Sequence, residues 1–169
     1  THSFTLFPYT TLFRSVNPLR IRQRYMDELA HNLVLYYTAT SHVSAQIIED
    51  QQKNVKAKKQ KSIDAMLKLK EQAIQMKETL LKRDIDAIGE ILNFGWLYKK
   101  QMADSISNEL IDKVYEAALQ SGASGGKISG AGGGGFMFFY CPSTTRYAVI
   151  DALSKFGGQA KRYEFVTEG

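Results

Sequence analysis

The chain has 169 residues, 44% hydrophobic and 11% aromatic, with a single cysteine and a formal charge of +5. That much apolar material supports one packed domain and excludes a disordered chain, while one cysteine excludes an intrachain disulfide. No apolar run approaches the roughly 18 residues that cross a bilayer, and the N-terminus lacks the basic start and clean apolar stretch of a signal peptide.

Residues 1–15 read THSFTLFPYTTLFRS and show neither a helical nor a strand period. Thr5–Ser15 looks like the in-frame translation of a common sequencing adapter. The expectation is therefore that Thr1–Ser15 is an assembly artefact outside the fold. The authentic domain then begins near Val16 and runs to Gly169, as part of a protein that extends further upstream.

Beyond that point, Val16–Ile21 reads as an extended piece interrupted by Pro18, and Arg22–His31 as a short helix. Asn32–Thr40 is dense in β-branched and aromatic residues without polar alternation, which predicts a strand buried on both faces. Ser44–Val55 begins a helical block. In Ile63–Leu81, apolar residues at Ile63, Met66, Leu67, Ala73, Ile74, Met76, Leu80 and Leu81 predict a helix with one buried stripe. Asp84 can cap the next helix, which carries Ile85, Ile88, Leu92 and Trp96. Ser107 can cap another, with Ile106 and Ile111 placed as a hydrophobic staple and Gly122 placed to end it.

The period then changes. Lys127–Ser129 is a short strand, Gly130–Gly135 a turn, and Phe136–Tyr140 an apolar strand. A helix from Pro142 through Phe156 is closed by Gly157 and Gly158, and Gln159–Val166 forms a last strand. With the helical block collapsed to one layer, the order is βαββαβ. That predicts an α+β fold, a ferredoxin-like plait whose four-stranded antiparallel sheet carries helices on one face and long inserted helices.

Lys53, Lys56, Lys58, Lys59 and Lys61 supply much of the basic excess. No aromatics interleave them, so they read as a solvated helix face or a helix–helix junction, with no nucleic acid and no membrane as partner. His31 and His42 lack the surrounding Cys or carboxylates of a zinc site, so no metal is expected in this chain. Cys141 ends a buried strand and reads as packing, as does Trp96.

The informative segment is Gly125–Phe136, GGKISGAGGGGF, in which five of the six residues from Gly130 to Gly135 are glycine. Glycines reach positive φ freely and admit close approach, and successive N–H groups in such a turn make a concave anion site. Lys127 adds charge and Ser129 a hydroxyl. By themselves these residues fit either a flexible hairpin or a phosphate-contacting loop. A strand follows the glycines, unlike a dinucleotide fingerprint, and no Gly-Lys-Ser/Thr follows them, unlike a P-loop.

Lys127–Gly135, KISGAGGGG, resembles the third motif of the GHMP kinase superfamily, which includes galactokinase, homoserine kinase and mevalonate kinase. The resemblance implies a C-terminal ferredoxin-like domain whose glycine loop helps frame nucleotide phosphates and substrate. Ser129, Gly130, Ala131, Gly132, Gly133 and Gly134 would make those contacts through backbone N–H groups.

The wider pattern resembles the heptose 7-phosphate kinases of that superfamily. It comprises Asn32–Thr40 with Ser44-Ala45, Trp96, Lys99-Lys100, Ile106–Asn108, Ile111-Asp112, Gly122-Ala123 and Gly125–Tyr140. One departure stands out: relatives tend to carry Thr-Gly and a nearby Arg where this chain has Thr38-Ala39 and His42.

The resemblance implies a cytoplasmic enzyme that uses ATP and Mg2+, phosphorylating the anomeric hydroxyl of a sugar phosphate. The ATP loop and the catalytic base would lie in an N-terminal domain missing from this chain. No catalytic residue is expected here, and the isolated chain should bind no cofactor stably and have no kinase activity. A non-catalytic module that binds small anions or sugar phosphates with the same plait is the alternative.

Overall fold

The computed structural model describes residues 18–40 and 44–166. The proposed artefact at residues 1–15, and His42, lie outside the described residues.

In chain order the elements are α1 (Gln23–Asn32), β1 (Leu33–Tyr37), α2 (Ser44–Lys56), α3 (Gln60–Lys82) and α4 (Ala87–Lys99). A 3-10 turn (Asp104–Ile106) leads to α5 (Glu109–Gln120), β2 (Gly125–Ile128), β3 (Phe136–Tyr140), α6 (Arg146–Ser154) and β4 (Gln159–Lys161). The strands form one sheet in the order β2-β3-β1-β4. Every pairing is antiparallel, with Val34 opposite Phe139 and Tyr36 opposite both Met137 and Ala160. This is an α+β domain.

Antiparallel partners share a face, and the larger core grows from the face bearing Val34, Tyr36, Met137 and Phe139. Ile111, Val114 and Ala118 of α5 pack there, as do Val149 and Leu153 of α6, with Trp96 and Ile106. The opposite face is also covered at one end. Leu33 and Tyr140 meet Leu29 of α1 and Ile85 and Ile88 at the α3–α4 junction. The unalternated apolar run of β1 reflects these two clusters, so helices are not confined to one face as expected. Buried tyrosines keep their hydroxyls paired. Tyr140 donates to Asp86 and accepts from Asn32, and Tyr36 donates to the Leu153 carbonyl.

The buried stripe of α3 is not the one expected. Leu67 and Ile74 are more than half exposed and Met66 and Leu81 more than two-fifths, while Ser62, Ala65 and Gln72 are buried. The reason is steric. A Cβ on Gly95 of α4 would fall inside the Gln72 side chain, so the missing side chain at Gly95 is what makes room for Gln72 at the crossing. Gln72 satisfies its amide by donating to the Ile91 carbonyl at 2.9 Å. The lysine-rich segment is the junction between α2 and α3, turned at Lys58 with φ 53°, and Lys53 pairs with Glu49 at 3.0 Å.

Three boundaries shift. Asp84 does not cap α4; Asp86 precedes the helix, and its carboxylate accepts from Tyr140 instead. Ser143 takes φ 57°, which no helix accommodates, so α6 begins at Arg146 rather than Pro142. β4 pairs only over Gln159–Lys161. Beyond it, Tyr163 turns its hydroxyl to the Ala30 carbonyl at 2.9 Å, leaving the ladder for the end of α1.

Candidate functional site

The glycine loop joins β2 to β3, as its position between two strand-forming runs predicts. Gly130, Gly132, Gly133, Gly134 and Gly135 all have positive φ, so a residue with a Cβ is strained at each. The loop has two halves with different surroundings.

The second half is pinned to protein. Gly133 donates its N–H to the Ile106 carbonyl at 2.8 Å and receives the Asn108 side-chain amide on its own carbonyl at 3.2 Å. Gly135 donates to the Thr40 carbonyl at 2.7 Å. Gly132, Gly133 and Gly134 are buried. A Cβ on Gly132 would lie 2.8 Å from Ile106, and one on Gly134 would lie 2.6 Å from the Thr40 carbonyl. Close backbone packing therefore requires glycine at both positions.

The first half is open. Ser129 and Gly130 are exposed and Ala131 half-buried. The Ser129 N–H is committed to the Phe136 carbonyl at 2.7 Å, and Gln51 donates to the Ala131 carbonyl at 3.3 Å. Among the described residues, the N–H groups of Gly130 and Ala131 have no protein acceptor. Of the six loop residues expected to contact an anion, Ser129 and Gly133 thus spend their N–H groups on the fold, and Gly132 and Gly134 lie beneath the surface.

Helix α5 anchors this arrangement, and its cap is one residue later than the sequence suggests. Asn108 is the N-cap, its side-chain oxygen accepting from the Ile111 N–H at 3.0 Å. Ser107 instead donates to Asp112 at 2.8 Å, and Asp112 also pairs with Lys100 at 3.1 Å. With the cap at Asn108, Ser107 and Asp112 occupy the staple positions, so the staple is polar. Ile106 and Ile111 are both fully buried in the main core.

Sequence reasoning gave Lys99 no role at the loop. It ends α4, and its ammonium donates to the Gly130 carbonyl. Burial pushes it down to about 8, with the nearby Lys127 cation adding to the shift. Burial lowers Lys127 as well. The available signal was the Lys99-Lys100 doublet at the end of a helix, whose members separate in the structure: Lys100 has a carboxylate partner and Lys99 a loop carbonyl.

Two other candidates resolve to packing. Trp96 has no exposed surface and sits 5.9 Å from the Tyr115 ring. Cys141 is fully buried, its thiol pushed up to about 12 by desolvation, which is the opposite of what a nucleophile needs. The Tyr115 hydroxyl is likewise pushed up to about 12 by burial and donates to Asn93 at 2.8 Å.

Residues 76–159 match the family model described as "GHMP kinases C terminal". These residues run from within α3 to the first residue of β4 and contain the whole glycine loop. The chain belongs to the GHMP kinases and carries their C-terminal domain. It is 40% identical over 154 residues to a D-glycero-alpha-D-manno-heptose 7-phosphate kinase from Campylobacter jejuni, covering 91% of this chain and 45% of that protein. The chain thus spans about half the length of that relative.

Among solved structures, it resembles a D-glycero-D-manno-heptose 1-phosphate kinase from Bacteroides thetaiotaomicron, with 31% identity and TM-score 0.58. That match covers 87% of this chain and 37% of the other. Mevalonate kinase from L. major shares the fold at TM-score 0.66 and 22% identity, over 73% of this chain and 37% of that one.

Proposed function

We propose that this chain is the C-terminal half of an ATP-dependent sugar kinase. The full enzyme would transfer the γ-phosphoryl group of ATP to the anomeric hydroxyl of a heptose 7-phosphate. The observation that carries the reading is the pinned glycine loop within a GHMP C-terminal domain, in a chain 40% identical to a heptose 7-phosphate kinase. We read the β2-β3-β1-β4 antiparallel order, with its helices, as a ferredoxin-like plait.

In phosphoryl transfer the protein chiefly positions the reactants and stabilises developing charge. The open N–H groups of Gly130 and Ala131, with Lys99 held on the Gly130 carbonyl, suit the oxygens of a phosphate. Anchoring by Ile106, Asn108 and Thr40 keeps those groups in place before the ligand arrives, so little reorganisation is needed.

Among the described residues no three His, Cys, Asp or Glu side chains cluster to hold a metal. We read Mg2+ as entering with the ATP phosphates. The ATP loop and the base that accepts the sugar hydroxyl proton would come from an upstream lobe. A cytoplasmic location is our reading from the likeness to the GHMP kinases; separately, among the described residues no helix is long and apolar enough to cross a membrane.

The test compares the purified chain with a full-length enzyme made by joining it to the upstream half of its gene. With ATP, Mg2+ and heptose 7-phosphate, the full-length enzyme should release ADP and the isolated chain none. Phosphorus–proton NMR should show coupling from the new phosphate to the anomeric proton. Coupling elsewhere on the ring would refute the assigned hydroxyl, and turnover by the chain alone would refute the half-enzyme reading.

A further inference from the structure

Helix α3 carries on its outer side aliphatic residues that the sequence pattern assigns to the core. Leu67 is 57% exposed, Ile74 56% and Leu81 45%, and they recur at every seventh position. With about 3.6 residues per turn, Leu67 and Leu81 fall within about 20° of Ile74, while the buried Ala65 and Gln72 lie about 160–180° away. α3 packs on α4, and α4 on β2, so the stripe faces away from the sheet. The outward side of a surface helix is ordinarily polar.

Charge is sorted on either side of this stripe. Lys70 and Lys77 flank it about 40–60° to one side, and Glu71 and Glu78 flank it about 40–60° to the other. All four are exposed. Among the described residues Lys70 has no carboxylate within ion-pair distance, and Lys77 meets only its neighbour Glu78, at 3.8 Å. Glu71 holds Lys68 at 2.8 Å and has lone pairs left for a second cation.

We propose that the outer side of α3 is a docking surface for a second copy of this chain, the two α3 helices lying parallel and in register about a two-fold axis between them. Leu67, Ile74 and Leu81 then each meet their own counterpart. Rotation about that axis sets the lysine flank of each copy against the glutamate flank of the other, so Lys70 faces Glu71 and Lys77 faces Glu78 along both edges. An antiparallel pair would cover the same stripe but would set lysines against lysines and glutamates against glutamates. The charge pattern thus selects a second copy in one orientation. This pairing does not depend on the kinase reading.

The test measures the mass of the chain itself by sedimentation equilibrium. One helix pair covers less area than a standard interface, so the dimer should dissociate with a constant on the order of 10–100 µM. Ile74→Lys, at an exposed position, should keep the helical circular dichroism and raise that constant more than about tenfold. Lys70→Glu with Lys77→Glu makes both flanks acidic, and Glu71→Lys with Glu78→Lys makes both basic. Each double variant should associate about tenfold more weakly by itself, and an equimolar mixture of the two should recover the parent affinity.

Orientation is read by cross-linking. Under mild oxidation Leu67→Cys should give a disulfide-linked dimer, and mixing it with Leu81→Cys should give no link between the two variants; Cys141 is fully buried and takes no part. A link between positions 67 and 81 would overturn the parallel pairing. So would a chain that stays monomeric at about 1 mM, or a dimer indifferent to Ile74→Lys or to the charge doubles. The chain joined to its upstream half should give the same dimer, with the same loss on Ile74→Lys. A joined protein that is monomeric would show the upstream half covering the stripe and would overturn the pairing. A joined protein that dimerises as described but phosphorylates no sugar would keep the pairing and lose the kinase reading.

Discussion

Thr38 reaches the carbonyl of Gly135 twice, by its N–H at 2.9 Å and by its hydroxyl at 3.0 Å. That double contact clips the end of β1 to the end of the glycine loop. The next residue, Ala39, must then turn with φ 57°, in the left-handed region. A glycine would take this turn without a Cβ penalty. Ala39→Gly should raise the unfolding free energy by about 1 kcal/mol, because the folded strain it removes exceeds the entropy it adds to the unfolded chain. Urea unfolding measures this; a loss of stability would mean that the turn at residue 39 is not strained.

Asn108 caps α5 with its side-chain oxygen and holds Gly133 with its side-chain nitrogen. Asn108→Ala should cost about 1–2 kcal/mol, since both bonds go. Asn108→Asp keeps an acceptor at a helix N-terminus but loses the donor, so it should cost less than half as much. Equal losses in denaturant unfolding would show that the bond to Gly133 dominates and the cap contributes little.

The two halves of the loop should answer differently to the same change. At Gly130, with φ 83°, an added Cβ meets nothing within 4 Å, so Gly130→Ala should cost about 1 kcal/mol, the left-handed penalty alone. At Gly132, with φ 129°, the Cβ falls 2.8 Å from the Cα and carbonyl of Ile106. Gly132→Ala should therefore cost about 2–4 kcal/mol, with strain and overpacking added together. Urea melts of both variants test this, and indistinguishable midpoints would contradict the pinned half. In the full-length enzyme, replacing Gly132 or Gly133 with Val should cut turnover by more than about tenfold.

The half-buried Lys99 has a pH signature. It titrates at about 8 in the folded chain against an ordinary lysine value near 10.5. Between those values the unfolded chain binds more protons, so this group's contribution to stability rises with pH. Below about pH 8 both states are protonated, and burying the cation is a constant penalty. Lys99→Met should accordingly be more stable than the parent at pH 7, with the advantage shrinking towards pH 10. Cys141 pulls the other way, since its raised thiol value makes its contribution fall above about pH 8.5. It is present in both proteins, so the difference between their unfolding curves isolates Lys99. An advantage that does not change with pH would mean that Lys99 is not desolvated.

The chain's order of periods, from strand to helices and back to strands around a glycine turn, was enough to anticipate an α+β domain with an antiparallel sheet. β3 matches the expected Phe136–Tyr140, because five consecutive large apolar residues between a glycine run and a proline admit little else. β1 was legible for a similar reason. Helix α3 shows the limit of such patterns. Its aliphatic residues have helical spacing, yet the buried side holds Ser62, Ala65 and Gln72, because α4 presents Gly95 at the crossing. Periodicity reports a helix, but which face is buried depends on the shape of its neighbour.

The candidate site divides along the same line. Sequence alone determined that a glycine turn links two strands and that its backbone must adopt φ values other residues avoid, since both follow from local chemistry. Only the tertiary structure decided which glycines are packed against Ile106 and Thr40 and which face outward. It also decided that Asn108, rather than Ser107, caps α5. Lys99 is 31 residues from Gly130 along the chain, and their meeting depends on how α4 lies beside β2. Local rules act over a few residues, whereas that meeting is set by packing between distant elements, where no spacing in the sequence records it.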